Sequence, residues 1–401
     1  MIKSNIWKIY AKNFSENLLI AWAVHKLYFT QALGITMQEM AYFTLAITIV
    51  HIILEIPSGF IADKLGLKKT LLVAKTINIA RIYFYINAKG LLDIVIAYAM
   101  SSVASSLKSG AEEAMIYESL KEENRKEQYE KVLGMASLAK AIGFGLGIFL
   151  GSIIFNGYNY RQLFIITLIP MSISYILLLI QKEPDIEEKK DSSNLEFKKA
   201  IKEAFRELFS SKQIVFVIIY SFIVKGIVRI LGHYDELYLI ALSLPVVYWG
   251  VIRNIFNISE GIGGILSQKL KERYGYKNNF TVIIIISSIL LYIFTMNIGL
   301  ATILVMSILL ILGNIGITLT SGYINDRVSS KLRATTLSIK NLIFWISFIG
   351  FDFMFGFISD REGIFIGARF FAVIVAIYMI YYMSFKNKVL DKEKTVEMEN
   401  I

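Results

Sequence analysis

Several ionisable side chains fall inside stretches of sequence that are otherwise apolar. Glu16 lies between Asn13 and Asn17, and Glu55 precedes Pro57. Arg81, Lys108, Glu112, Glu113 and Lys140 follow in the first half, and Lys225, Arg229, Arg253, Glu260, Asp352 and Arg369 in the second. A charge in hydrocarbon costs roughly 2.5–3.5 kcal/mol or more, so each such residue is a functional candidate. Two kinds of chemistry suit them. A carboxylate such as Glu16 or Glu55 can alternate between a protonated and a charged form and so carry a proton. A cation such as Lys108, or Lys225 and Arg229 one turn apart on a common face, can neutralise a phosphate or carboxylate ligand. Asn13 and Asn17 add hydrogen-bonding capacity beside Glu16. The structural alternative is that these charges pair with one another or snorkel to an interface. On that reading Arg81 and Arg369 reach outward, Glu112 and Glu113 sit at a cytoplasmic mouth, and Lys75, only a turn inside its span, needs no special explanation. His25 and His233 read as interfacial residues and His51 as a local hydrogen-bonding group. Three scattered histidines and no cysteine leave no metal cluster or thiol nucleophile.

The elements that must position these residues are membrane spans. Of 401 residues 55% are hydrophobic and 18% charged, and the mean hydropathy is +0.57. The charges come in short bursts between apolar runs long enough to cross a bilayer, and in lipid such runs must be helical. The pattern predicts twelve spans: 6–28, 37–62, 69–88, 91–115, 131–155, 161–181, 213–233, 245–267, 279–297, 300–322, 334–358 and 363–385. Basic residues concentrate on the side of the N-terminus, from Lys3, Lys8 and Lys12 through Lys64, Lys68 and Lys69 to Lys386 and beyond. That bias places both termini in the cytoplasm. It also explains the net charge of +10 without nucleic acid. Residues 1–184 and 213–401 read as two six-helix halves. Residues 185–212 read as a cytoplasmic linker, with Phe197, Ile201, Phe205 and Leu208 at helical spacing opposite lysines and Arg206.

The loop after the second span reads Gly59-Phe-Ile-Ala-Asp63-Lys64-Leu-Gly66-Leu-Lys68-Lys69, and Gly264-Ile-Leu-Ser-Gln268-Lys269-Leu270 echoes it after the eighth. This loop resembles the signature between helices 2 and 3 of the major facilitator superfamily. The resemblance implies an all-α membrane fold of twelve helices in two pseudo-symmetric six-helix bundles. It also implies that Gly59, Asp63, Lys64, Gly66, Lys68 and Lys69 form a gate in which the aspartate faces the start of the eleventh span. Helices 1, 4, 7 and 10 would line a central cavity. Leu67 and Gln268 depart from the family pattern. Glu55-Ile-Pro57-Ser-Gly59 and Ser109-Gly-Ala-Glu112-Glu113-Ala-Met-Ile-Tyr117 look like a branch of prokaryotic drug and metabolite exporters. Gly143, Gly145, Gly147 and Gly151 give half of the glycine-rich antiporter motif, without its proline; they also suit close helix packing.

The leading expectation is a proton-coupled exporter of small organic molecules in a prokaryotic cell membrane, with Glu16 or Glu55 as the proton carrier. It would act as a monomer, with solute, protons and lipid as its partners and no cofactor. The alternative is uptake or exchange of an anionic metabolite on Lys108, Lys140, Lys225, Arg229 and Arg253; pairing of those cations with carboxylates would point back to export. A non-transporting receptor on the same fold is a third possibility. No P-loop is present, so an ATP-driven pump or other enzyme is not expected.

Overall fold

A computed structural model of the chain describes residues 5–157, 159–184, 211–328 and 333–390, together with 203, 205, 206, 208 and 209. For 55–64, 109, 110, 126, 130, 325 and 333–338 the description is of the backbone alone. The expected linker helix lies largely outside these residues. Among them every regular element is helical. The long helices are α1 (Asn5–Asn17), α2 (Met37–Leu65), α3 (Leu67–Asn87), α4 (Leu91–Glu122), α5 (Tyr129–Ile154), α6 (Tyr160–Leu179), α7 (Lys212–His233), α8 (Trp249–Phe294), α9 (Ala301–Asn325), α10 (Arg333–Glu362) and α11 (Ile364–Leu390).

Nine of the described helices have the length and composition to cross a membrane. α1 is too short at 13 residues, and α3 carries Lys68, Lys69, Lys75, Asn78 and Arg81. α8 has 46 residues and breaks at Gly275, whose φ of 69° suits only a residue without a Cβ. With α8 counted as two and the broken first segment as one, the order is consistent with twelve spans. α6 shows the inverted patterning of a lipid-facing helix. Ile165, Ile169, Ile173 and Ile176 are exposed along one stripe, while Thr167, Pro170 and Ser174 are buried on the other.

The chain divides into two compact units: residues 1–190 with Leu244–Asn254, and Asp191–Ser243 with Ile255–Ile401. In the first unit, Ile6 and Ile9 of α1 pack on Ile116 and Leu120 of α4 and on Val132 and Ala136 of α5. Leu67 and Leu71 of α3 pack on Ala111 and Met115 of α4 and on Leu178 of α6. α2 begins with a reciprocal cap: Thr36 N–H donates to Glu39 Oε2 at 2.9 Å and Glu39 N–H to Thr36 Oγ1 at 3.1 Å. In the second unit α7 lies close on α9, where a Cβ added at Gly316 would stand 2.7 Å from Val224 Cγ1. Tyr220 donates to the carbonyl of Phe280 at 3.1 Å, which satisfies a buried hydroxyl.

The first span departs from the expected single helix. α1 ends at Asn17, and a 3₁₀ turn (Ile20–Ala23), a short α-turn (His25–Leu27) and a π-helical turn (Tyr28–Ala32) follow. No proline or glycine forces this break. Neighbouring polar groups replace the lost helical bonds instead. Thr167 Oγ1 accepts from Ala21 N–H at 3.0 Å, and Arg253 Nη1 donates to the carbonyls of Trp22 at 2.6 Å and Ala23 at 3.3 Å. The glycines of α5 let that backbone come close. A Cβ at Gly147 would stand 2.6 Å from Leu19 N, and one at Gly143 or Gly151 would collide with the carbonyl of Phe14 or Ile20.

Candidate functional site

A network of charged side chains fills the interior of the first unit. It is built on two helices that each carry a lysine and a glutamate four residues apart, Lys12 and Glu16 on α1 and Lys108 and Glu112 on α4. Glu16 Oε2 lies 2.9 Å from both Lys75 Nζ of α3 and Lys108 Nζ. Glu112 receives Lys12 on Oε1 at 2.8 Å and Lys140 of α5 on Oε2 at 2.9 Å, with Lys108 at 3.7 Å. Lys75 also donates to Ser174 Oγ, which in turn donates to the carbonyl of Lys12 at 2.9 Å. The side chains of Lys12 and Lys75 are 2% and 5% exposed, whereas Lys140 at 37% reaches the rim. Four lysines thus meet two carboxylates. Lys12, Glu16, Lys75, Asn78 and Lys108 line a cavity of about 10 Å³, room for roughly one water molecule. Beside it the side-chain amide of Asn13 is fully buried and has no hydrogen-bond partner, while Asn17 Nδ2 donates to the carbonyl of Asn13 at 2.8 Å.

Directly beyond the cavity on α3 lies Arg81. It is 7% exposed and buried against the ring of Trp22, 4.9 Å from Cζ. The outward reach expected of it is not observed, because its Nη1 donates to Ser101 Oγ at 2.9 Å within the unit. The second unit holds its own cations. Lys225 donates to Asn341 Oδ1 at 3.1 Å and sits 4.3 Å from the ring of Phe344. Arg229 lies 5.0 Å from the ring of Trp345, and Lys340 donates to Ser321 Oγ at 3.2 Å. Among the described residues neither Lys225 nor Lys340 has an ion pair. Asp352 is fully buried and accepts from Tyr234 at 3.0 Å.

These helices are those of a known architecture. The sequence matches the family model described as Major Facilitator Superfamily over residues 17–350. The chain belongs to that superfamily. No curated protein matches it in sequence. Among solved structures it is similar to the nucleoside transporter NupG, with 18% identity, coverage of 94% of this chain and 98% of that one, and a TM-score of 0.75. It is similar to a bacterial homolog of the human lysosomal transporter Spinster in an inward-facing, unoccupied conformation, at 15% identity, 96% coverage of each chain and a TM-score of 0.74. A D-xylose–proton symporter follows at 12% identity, 93% and 95% coverage and a TM-score of 0.66. At these identities the likeness is one of fold.

Of the superfamily's signature loop, the backbone of Gly59, Asp63 and Lys64 closes α2, but their side chains, with that of Glu55, lie outside the described residues. The partner of Asp63 was expected at 329–335, of which 329–332 and the side chains of 333–335 also lie outside the described residues. Gly66 takes a φ of 87° and turns the chain into α3. There the Glu183 carboxylate stands at the N-terminus of α3, accepting from Lys68 N–H at 3.0 Å where the helix dipole favours negative charge. Lys68 Nζ donates to the carbonyl of Leu179 at 2.7 Å, and Lys69 is exposed. In the second unit the corresponding contact uses Lys271 rather than Gln268. Lys271 pairs with Asp326 Oδ2 at 3.2 Å, and Tyr276 donates to the same oxygen at 2.8 Å. Tyr276, then Lys271, hold the Asp326 carboxyl below its usual range.

Sequence reading separated Glu16 from its partners. Glu16 and Lys108 come together, but Lys225 and Arg229 belong to the other unit. Lys12 and Lys75, read as ordinary cytoplasmic-side charges, are buried members of the network. The signal that could have found Lys12 was the repeated Lys-x-x-x-Glu on two spans, a spacing that puts both charges on one helix face; Lys75 carries no such mark. Arg253, read as a ligand cation, instead holds the carbonyls of the broken first span. Among the described residues no group of His, Asp and Glu side chains could hold a metal ion.

Proposed function

We propose that the protein is a secondary active transporter working by alternating access, with 1–184 and 213–401 as its halves, and that its solute is a small organic anion. The observation that supports this is the surplus of positive charge in the interior of the first unit: among the described residues Lys12, Lys75, Lys108 and Arg81, with Lys140 at the rim, stand against Glu16 and Glu112. Buried charge is tolerated when it is neutralised, and an anionic solute supplies what the protein's own carboxylates lack. The fold family supports transport; the surplus supports the charge of what is carried. Proton-coupled export keeps a claim through Glu16 or Glu55, because Lys108 and Lys140 do pair with carboxylates. Glu16, however, is tied to two lysines, and a carrier that must let go of its charge would have to break both contacts.

The test is flux into proteoliposomes holding the purified full chain, with an imposed pH gradient or none, against a panel of carboxylates, phosphorylated metabolites and neutral isosteres. Transport restricted to anions supports the reading. Transport of neutral or cationic solutes in preference to anions, driven by the pH gradient, would return the assignment to proton-coupled export.

A further inference from the structure

The anionic reading leaves open where the solute's charged group sits, and the lysines are not the best-prepared acceptor. Their ammonium groups already have glutamate or serine partners. Arg81 has a serine but no carboxylate. It is 93% buried by its 7% exposure, and among the described residues it has no ion pair. Its Nη1 is engaged by Ser101 Oγ at 2.9 Å, but its Nε has no hydrogen-bond partner. Native structures leave few such donors unsatisfied.

Two further unpartnered atoms lie on the same helix face. Asn78, Arg81 and Tyr85 recur at the three- and four-residue spacing that aligns side chains along α3. The Tyr85 hydroxyl, on a residue 1% exposed, has no well-aligned hydrogen bond and lies beside the guanidinium, whose Cζ stands 6.0 Å from the Tyr85 ring. Asn78 Oδ1 is likewise without a partner, and Asn78 lines the small cavity shared with Lys12, Lys75 and Lys108. Around them stand rings: Trp22 and Tyr85 meet edge to face at 5.6 Å, and Tyr85 and Phe164 stack at 5.1 Å.

Resting on the anionic reading, we propose that Arg81, with Tyr85 and Asn78, is the acceptor for the carboxylate of a small organic acid. The Nε edge of a guanidinium, with Nη2 beside it, presents two parallel N–H groups that match the two oxygens of a carboxylate. That fork is the geometry arginine offers and lysine does not. Nη1, which Ser101 occupies, lies on the other side, so the serine orients the fork without blocking it. The Tyr85 O–H adds a third donor. One guanidinium and one phenol balance a single negative charge, which favours a carboxylate over a doubly charged phosphate. The flanking rings favour an apolar or aromatic body.

The experiment measures binding to the purified full-length protein in detergent, by thermal shift and calorimetry at constant ionic strength, with sodium benzoate as the probe and benzamide as its neutral isostere. Benzoate is expected to raise the melting temperature saturably and benzamide not to. Arg81→Gln should weaken benzoate binding at least tenfold, and Arg81→Lys should not restore it, since an ammonium lacks the fork. Tyr85→Phe keeps the ring and should weaken binding several-fold; it decides the matter if Arg81→Gln does not fold. Absence of benzoate binding to the wild type, equal binding of benzamide, or wild-type affinity in Tyr85→Phe and Arg81→Gln would each overturn the proposal. If Lys140→Met rather than Arg81→Gln abolishes binding, the acceptor is the lysine network, and the anionic reading survives without this site. A transporter that moves only neutral solutes in the flux assay removes the anionic reading itself.

Discussion

The surplus of lysine in the first unit makes an asymmetric prediction about stability. Glu112 is the hub, with Lys12 at 2.8 Å, Lys140 at 2.9 Å and Lys108 at 3.7 Å. Glu112→Gln keeps the side chain's size but, among the described residues of the network, leaves four lysines against Glu16. Removing one member of a buried ion pair costs about 3–5 kcal/mol, because the partner's charge stays behind without compensation. Lys12, 2% exposed, has no water to turn to. Lys140 is 37% exposed, and Lys140→Met removes a charge of the sign already in excess, so its expected effect lies within about 1 kcal/mol and can be stabilising. The double variant Glu112→Gln with Lys12→Met returns the balance to its original surplus and should recover at least half the loss. The assay is thermal unfolding of the purified full chain at neutral pH, where a loss of this size lowers the midpoint by about 5 °C. If Lys140→Met proves as damaging as Glu112→Gln, or the double variant is no better than the single one, the network is not charge-limited and the reasoning fails.

Other perturbations test other contacts. Gly147→Val should destabilise by roughly 1–3 kcal/mol, since its Cβ would stand 2.6 Å from Leu19 N, a backbone atom that cannot swing aside; a wild-type melting curve would contradict the close approach. Asp326, lowered by the Tyr276 hydrogen bond and Lys271, stabilises the fold at neutral pH, and that contribution should fade as pH falls below about 4. Both side chains of the ion pair are well exposed, so the effect should stay under about 1 kcal/mol and shrink in salt; Tyr276→Phe should reduce the pH dependence seen in unfolding between pH 6 and pH 3. Asp63→Asn should leave the protein folded and inserted but slow flux in proteoliposomes severely, and wild-type rates would show that the signature loop does not gate this chain.

Most of the fold was legible because lipid imposes it. Apolar runs of bilayer length, basic bursts on one side and the loop from Gly59 to Lys69 were enough to reach the superfamily. What escaped was whatever depends on a neighbouring helix. The break after Asn17 leaves no mark in the local sequence, since Thr167 and Arg253, far along the chain, satisfy the groups it frees. The glycines of α5 were readable as a packing face, but not which backbone they admit.

The charges show the same limit more sharply. Hydropathy flagged Glu16 and Lys108 because they interrupt apolar runs, and passed over Lys12 and Lys75 because they lie near the ends of theirs, where lysines ordinarily snorkel. Depth along the sequence is a poor measure of burial when the first span is a short helix packed among its neighbours: Lys12 is 2% exposed and Glu16 10% in their side chains. A lysine near a helix end becomes an interior group once a carboxylate on another helix claims it. What decides between a snorkelling lysine and a structural or ligand-binding one is therefore the count of opposite charges within reach. Among the described residues of this interior that count comes out in favour of lysine, which is the imbalance the proposed anion would meet.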